Sequence, residues 1–178
     1  MLESLITSKT RIKLLLKFFL NPETRAHLRA LADEFGESSN GVRLELNRLA
    51  KAGLLSTESD GNKKVYRANI KNTLYPTIHH LIKQNFGIDI IEDVLKKLGN
   101  VEIAFVTGAY AKGIDSGIID LVIVGDVNKT YLNELVEVTE RTIKRKIRTL
   151  VLSRKDYNKL KDNFKKDQAL VVWNKTKL

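Results

Sequence analysis

The sequence predicts a mixed α and β protein that is built from two small domains. Apolar residues at helical spacing dominate the first half of the chain, and β-branched runs of strand length appear only after residue 100. The 178 residues, 43% of them apolar, are enough to bury a core without disulfides. Because the chain has no cysteine, thiolate chemistry and cysteine-ligated zinc are excluded.

The first half reads as three helices followed by a β-hairpin. The predicted elements are helices over residues 8–20, 24–35 and 38–52, and a hairpin over 54–68 with an Asp-Gly turn. Pro22, Gly36 and Gly53 stand at the three helix ends, where proline and glycine are expected. Ser38 or Ser39 is expected to cap the third helix.

The second half alternates strands and helices. Helices are predicted over 73–86, 88–98, 129–144 and 154–164, with strands over 101–106, 118–125 and 147–152 and an edge strand over 169–173. The change of character divides the chain into a domain over 1–72, a linker and dimerisation helix over 73–87, and a second domain over 88–178.

The net charge is +10 and is unevenly distributed. Residues 1–75 carry a net charge of +5, residues 76–125 carry −2, and residues 126–178 carry +7. Basic ends favour an anionic partner, with an ordinary lysine-rich surface as the alternative. The longest apolar runs are too short to cross a bilayer and the start lacks a signal-peptide cleavage site, so we expect a cytoplasmic protein with no membrane partner.

One face of the third helix has the residue types that read DNA. Asparagine pairs with adenine and arginine with guanine in the major groove, and leucine can contact the methyl group of thymine. The candidate DNA-binding residues are Ser39, Asn40, Arg43, Leu44, Asn47, Arg48 and Lys51 on the helix, and Lys63 and Lys64 in the hairpin.

The segment HLRALADEFGESSNGVRLELNRLAKAGLL resembles the winged helix-turn-helix regulators of the ArsR/MarR type. The resemblance rests on the L-A-x-x-x-x-x-S turn and on the closing L-x-x-A-G-L-L, and it covers about residues 8–70. It implies that helix 38–52 enters the major groove of double-stranded DNA and that the wing, 54–68, contacts the backbone. Winged helices also serve as protein-interaction modules, which is the alternative.

A second resemblance begins at the strand that ends in Val106 and runs to Gly125. This stretch is similar to the minimal nucleotidyltransferase domain of the DNA polymerase beta-type superfamily, whose signature is a Gly-Ser turn, an A-R/K-G helix and a strand with Asp-x-Asp. Gly108, the run Ala111-Lys112-Gly113 and Asp120 match it. Ala109 stands in place of the serine and Ile118 in place of the first aspartate, and the predicted strand 147–152 carries no carboxylate.

The departures remove most of the carboxylates with which the family holds two Mg²⁺ ions. We therefore predict no catalytic residue, no metal site, no cofactor and no nucleotidyl transfer. A phosphate-sized nest is expected to survive, with a nucleotide or another anionic small molecule as the candidate effector. The candidate nest residues are Gly108, Ala109, Lys112, Gly113 and Asp120.

These observations predict a DNA-binding transcriptional regulator that acts as a homodimer. The second domain would serve dimerisation or ligand sensing. Two alternatives remain: an active nucleotidyltransferase that is recruited by its winged helix, and an antitoxin-like protein that binds a partner.

Overall fold

A computed structural model describes residues 2–164 and 169–175, and the chain divides into two compact units, Met1–Asn85 and Phe86–Leu178. Each unit contains one β-sheet with helices beside it. The prediction of a mixed α and β chain is confirmed at this level.

Helices and a small antiparallel sheet form the first unit. The helices are α1 (Leu2–Leu5), α2 (Lys9–Leu20), α3 (Leu28–Phe35), α4 (Ser39–Lys51) and α5 (Tyr75–Phe86), the last of which ends at the first residue of the second unit. The strands are β1 (Ala26–His27), β2 (Leu55–Asp60) and β3 (Lys63–Ala68), in the order β1-β3-β2.

Local chemistry explains where the elements of the first unit begin and end. The Ser38 hydroxyl caps α4 by accepting a hydrogen bond from the Gly41 amide at 3.1 Å. Gly36 ends α3 at a φ of 64°, and Gly61 opens the two-residue hairpin loop at a φ of 56°. The Ser38 cap thus sets the start of α4, and the two-residue loop sets the register of the hairpin that follows this helix.

The prediction that a helix covers 24–35 is wrong at its start, because α3 begins only at Leu28. Ala26 and His27 form β1 and pair with Tyr66 and Val65 of β3. Their backbone groups are therefore satisfied by a strand about 40 residues away, which local helical spacing does not reveal.

Three ion pairs connect α2 to α3, α4 and the turn between them. Arg11 contacts Glu45 on α4 at 2.8 Å, Lys13 contacts Glu37 in the turn at 2.7 Å, and Lys17 contacts Glu34 on α3 at 2.8 Å. The apolar side of α2, including Leu14, Phe18 and Phe19, is buried. Charged and apolar contacts thus hold the same three helices together.

Glu45 is the most enclosed carboxylate of these pairs, with 6% of the residue exposed. Oε1 accepts hydrogen bonds from the Ser8 hydroxyl at 3.1 Å and from Arg48 Nη1 at 2.9 Å, and Oε2 accepts one from Arg11 Nε at 2.8 Å. Burial alone raises the pKa of Glu45, but the hydrogen bonds from Arg11 and Ser8 and the charges of both arginines outweigh it, so that the net pKa is lowered.

Helix α5 packs much of its apolar face within the first unit. Tyr75 stacks on Phe19 at a centroid distance of 5.5 Å, and His79 Nδ1 lies 2.6 Å from the Phe19 carbonyl oxygen. Ile82 is buried, whereas Leu74 is 58% exposed.

The second unit is built on a four-stranded sheet in the order β6-β5-β4-β7. Its strands are β4 (Val101–Thr107), β5 (Ile118–Gly125), β6 (Lys146–Leu152) and β7 (Leu170–Asn174). Its helices are α6 (Ile88–Leu98), α7 (Gly108–Ala111), α8 (Lys129–Ile143) and α9 (Arg154–Leu160), followed by a 3-10 turn over Lys161–Asn163. The β5–β6 pair is parallel, and β4 is antiparallel to both of its neighbours.

The sheet of the second unit carries the core. Phe105, Val122 and Val124 form a buried cluster, and the rings of Tyr157 and Phe164 pack against Phe105. The predicted edge strand is present as β7, at one border of the sheet. In the part of the chain that the structure describes, we find no helix that combines the length and the apolar character needed to cross a membrane.

The buried Glu45 carboxylate predicts an acid-sensitive stability. Because its pKa is lower in the folded than in the unfolded chain, its contribution is complete above pH 4.5 and is lost as the pH falls through the folded pKa. Glu45→Gln should lower the free energy of unfolding by about 1–3 kcal/mol at pH 7, and the difference from wild type should shrink below pH 4.5. Urea unfolding at several pH values measures both effects.

Asp33→Asn is the matched control, because Asp33 is exposed on α3 and has no ion-pair partner among the described residues. This variant should change the free energy of unfolding by less than about 0.5 kcal/mol. An equal loss in both variants at pH 7 would contradict the role given to Glu45.

Candidate functional site

Helix α4 has one buried face and one exposed face. The buried face carries Val42, Leu46 and Leu49, which lie in the interior of the first unit. All seven predicted DNA-binding residues of the helix are exposed: Ser39, Asn40, Arg43, Leu44, Asn47, Arg48 and Lys51. The structure therefore brings the candidate residues of α4 together on one solvent-facing surface, which we call the α4 outer face.

An exposed leucine stands in the middle of the α4 outer face. Leu44 is 52% exposed although it lies on a helix whose other apolar residues are buried. Asn40 and Asn47 lie four and three positions from Leu44, which places them beside it on the helix surface, and the exposed Arg43 lies about 100° around the helix. Such a mixture of amide, guanidinium and apolar groups can complement the edges of DNA bases.

The two hairpin lysines lie at the start of β3. In the backbone register of β2 and β3, Lys63 lies opposite Asp60 and Lys64 lies opposite Ser59. Both lysines are exposed, and neither has an ion-pair partner within residues 2–164 and 169–175. They supply unpaired positive charge at the tip of the hairpin.

The second unit contains the predicted nest around Gly108. Gly108 follows β4 at a φ of 71° and opens the short helix α7. Thr107 and Asp120 are register partners across β4 and β5, and a Cβ atom on Gly108 would lie 3.0 Å from Asp120 Oδ2. Strand pairing thus brings Gly108 and Asp120 together.

The other candidate nest residues, Ala109, Lys112 and Gly113, differ in their exposure to solvent. Ala109 is partly exposed on α7, Lys112 is exposed just after it, and Gly113 is buried at a φ of 79°. Lys112 belongs to the solvent-facing part of the turn, whereas Gly113 serves the close return of the chain.

Asp120 is paired with an arginine from the neighbouring strand. Asp120 and Arg148 are register partners in the parallel β5–β6 pair, and Arg148 Nε donates a hydrogen bond to Asp120 Oδ1 at 2.7 Å. Hydrogen bonding to Asp120, together with the charge of this carboxylate, raises the pKa of Arg148. The positive charge of Arg148 on β6 therefore faces the candidate site.

The residues at Asp120 do not fit the two-magnesium centre that the resemblance implies. Such a centre needs several hard oxygen ligands, and here one carboxylate is already engaged by a guanidinium. In the part of the chain that the structure describes, no group of three or more His, Cys, Asp or Glu side chains could hold a metal ion.

The basic cluster that follows α8 is largely neutralised by nearby carboxylates. Arg145 pairs with Asp115 at 2.6 Å, and Lys146 pairs with Glu140 at 2.7 Å. Burial raises the pKa of Asp115, but the hydrogen bonds from Arg145 and from the Gly117 amide outweigh it and the net pKa is lowered. These ion pairs leave less positive charge for an anion than the sequence suggests.

Comparisons with known proteins give one distant structural likeness. No family model matches the chain, and no curated protein matches it. A crystal structure described as that of a "putative nucleotidyltransferase" from Sulfolobus solfataricus matches with 22% identity and a TM-score of 0.36, covering 55% of this chain and 85% of that one. At this identity and score, no residue role is transferred from it.

The prediction that the chain is not an enzyme is corrected by this comparison. The matching structure is described as that of a "putative nucleotidyltransferase", which is an enzyme class, and the described residues give no positive evidence of lost catalysis. The expectation that no nucleotidyl transfer occurs therefore does not stand.

The contact between Gly108 and Asp120 predicts a measurable crowding effect. Gly108→Ala should destabilise the second unit by about 1–2 kcal/mol from backbone strain, and by more because the new methyl group meets the Asp120 carboxylate. Gly117→Ala is the matched control, because Gly117 has a φ of 74° but no atom within 4 Å of its Cβ position.

A double-mutant cycle with Asp120→Ala isolates the crowding. In that background, the cost of Gly108→Ala should fall to the cost of Gly117→Ala. Thermal or urea unfolding gives all the values, and an unchanged cost of Gly108→Ala would show that the carboxylate does not crowd this position.

Proposed function

We propose that this chain is a transcriptional regulator that binds double-stranded DNA with the α4 outer face in the major groove. The observation that carries the proposal is the exposed Leu44 among exposed asparagine and arginine side chains on a helix that is otherwise well packed. An exposed leucine costs little when it has a thymine methyl group to contact, and Asn47 and Arg43 provide paired hydrogen bonds to bases. Base contacts of this kind give sequence specificity.

The hairpin is the proposed backbone contact. Lys63 and Lys64 are unpaired cations at its tip among the described residues, and lysine contacts phosphate as a point charge. The order α2, β1, α3, α4, β2, β3, with the sheet order β1-β3-β2, supports a winged helix-turn-helix assignment of the first unit. Arg29 on α3 adds an exposed cation to this surface, whereas Arg25 in the loop before α3 is paired with Glu58 at 3.7 Å.

The second unit is the proposed sensor. Gly108 is exposed and has no side chain, and Lys112, four residues further on, is exposed as well. These groups favour an anionic small molecule such as a nucleotide as the effector.

The proposed base contacts predict separable effects of substitutions in α4 and in the hairpin. Asn47→Ala should reduce the discrimination between DNA sequences by about 1–3 kcal/mol, because a paired contact to a base is lost. Lys64→Ala should weaken binding to all sequences alike and lower the salt dependence, because a phosphate contact is lost. Selection of bound fragments, followed by gel shifts at several salt concentrations, measures both.

Lys71→Ala is the matched control for charge, since Lys71 is exposed in the same unit but outside α4 and the hairpin. It should leave the preference between sequences unchanged. If the wild-type protein shows no preference for any selected fragment, the proposed function is wrong.

We also propose that the regulator is a homodimer. One recognition helix contacts too few bases for specificity in a genome, and two-fold symmetric regulators read half-sites about one helical turn apart. Leu74 and Ile70 remain 58% and 62% exposed after the packing of α5 in the first unit, and they are apolar surface that a second copy could cover.

Sedimentation tests the dimer. At micromolar concentration the protein should sediment at twice the chain mass of 20.2 kDa, and Leu74→Lys should shift it toward the monomer. Thr73→Lys controls for the added charge, because Thr73 is an exposed polar residue next to the same position. A wild-type monomer with and without DNA would rule out the homodimer.

A further inference from the structure

Two arginines from different helices share the buried Glu45 carboxylate. We infer that Arg11 and Arg48 together form a contact for one DNA backbone phosphate, with Glu45 as the residue that positions both. This inference rests on the proposed function and extends the interface from α4 to the first turn of α2. Sequence patterns gave no reason to include Arg11.

The geometry leaves both guanidinium groups with free donors. Arg11 uses Nε for Oε2 at 2.8 Å and Nη2 for Oε1 at 3.3 Å of Glu45, so three of its five N–H groups remain. Arg48 uses one N–H of Nη1 for Oε1 at 2.9 Å. The two arginine side chains are 34% and 63% exposed, whereas the Glu45 side chain is 8% exposed.

The charge balance of this cluster is positive toward solvent. Two cations share one carboxylate, and the fourth member, Ser8, is neutral and donates its hydroxyl hydrogen to Glu45. Because the negative charge is enclosed and the positive charges are not, an approaching anion meets the guanidinium groups first. Guanidinium groups bind phosphate oxygens by parallel hydrogen bonds. The Glu45 carboxylate orients both guanidinium groups before a phosphate arrives.

The cluster adjoins the α4 outer face. Arg48 follows Leu44 by four residues and precedes Lys51 by three, so the three side chains lie in one row along α4. Through Glu45, the Arg11 guanidinium is held beside that row. A phosphate at the border of a groove that is occupied by α4 would therefore meet both arginines.

The other ion pairs of α2 lack this character. Lys17 is matched one-to-one with Glu34 at 2.8 Å, and its side chain is only 11% exposed. Lys13 is matched with Glu37 and also donates to the Phe35 carbonyl oxygen at 3.1 Å. Loss of Lys17 therefore removes a link between helices without removing an exposed cation.

The test compares Arg11→Ala with Lys17→Ala in the full-length protein. DNA affinity is measured by fluorescence anisotropy across a range of salt concentrations, on a fragment that the wild type selects and on a fragment that it does not. Arg11→Ala should weaken binding to both fragments about tenfold and reduce the slope of log affinity against log salt by about 1. Lys17→Ala should leave affinity and slope unchanged.

A second measurement separates binding from folding. Urea unfolding of Arg11→Ala identifies conditions in which this variant is fully folded, and the loss of affinity and slope is expected to persist there. If Arg11 only links helices, the folded variant keeps the wild-type affinity and slope, and the inference is overturned.

The outcomes also separate this inference from the proposed function. Wild-type binding that depends on salt and on Asn47, combined with an Arg11→Ala variant that binds like the wild type, overturns the phosphate contact alone. A wild-type protein that binds neither fragment at low salt overturns the proposed function and the phosphate contact together.

Discussion

The arrangement of the first unit depends on the buried carboxylate of Glu45. Enclosing a charge is costly unless it is fully paired, and Arg11, Arg48 and Ser8 supply the partners from α4 and from the start of α2. The apolar contacts of buried side chains such as Phe18 and Leu46 are non-directional. The hydrogen bonds of a carboxylate are directional, since each has a narrow range of distance and angle. Glu45 therefore adds a directional constraint to the apolar contacts of Val42, Leu46 and Leu49 that turn this side of α4 inward.

The second unit uses the same kind of interaction at its candidate site. Asp120 and Arg148 are 28 residues apart in the chain and meet because β5 and β6 are parallel and in register. The pair lies beside Gly108, whose lack of a side chain makes room for the carboxylate. In a sheet, a shift of one residue would move Asp120 to the opposite face. The register of β5 and β6 thus decides the chemistry of the site as much as the residue types do.

The sequence predicted the elements that local signals determine and missed those that depend on distant partners. The predicted bounds of strand β5 are the observed ones, because a β-branched run of strand length is a local signal. The strand character of Ala26 and His27 depends on β3 and was missed. Glu45 lies about 60° from Val42 on a helical wheel, so its burial could have been predicted. The contact of Arg11 with Glu45 could not have been predicted, because the rotation of α2 about its own axis decides which basic residue faces α4.

Charge counts along the sequence do not show which cations are paired with carboxylates in the folded chain. Residues 1–75 and 126–178 both carry a clear positive excess. In the structure, Arg145, Lys146 and Arg148 are each paired with a carboxylate, which cancels much of the local field of the second unit. On the first unit, six cations are paired as well: Arg11, Lys13, Lys17, Arg25, Arg48 and Arg67. Attraction of a polyanion depends on cations whose charge is balanced by mobile counterions and not by nearby carboxylates. Among the described residues, Lys63 and Lys64 on the first unit and Arg141 and Lys144 on the second are exposed cations without an ion-pair partner, so each unit keeps a positive surface that the net charge of its segment does not locate.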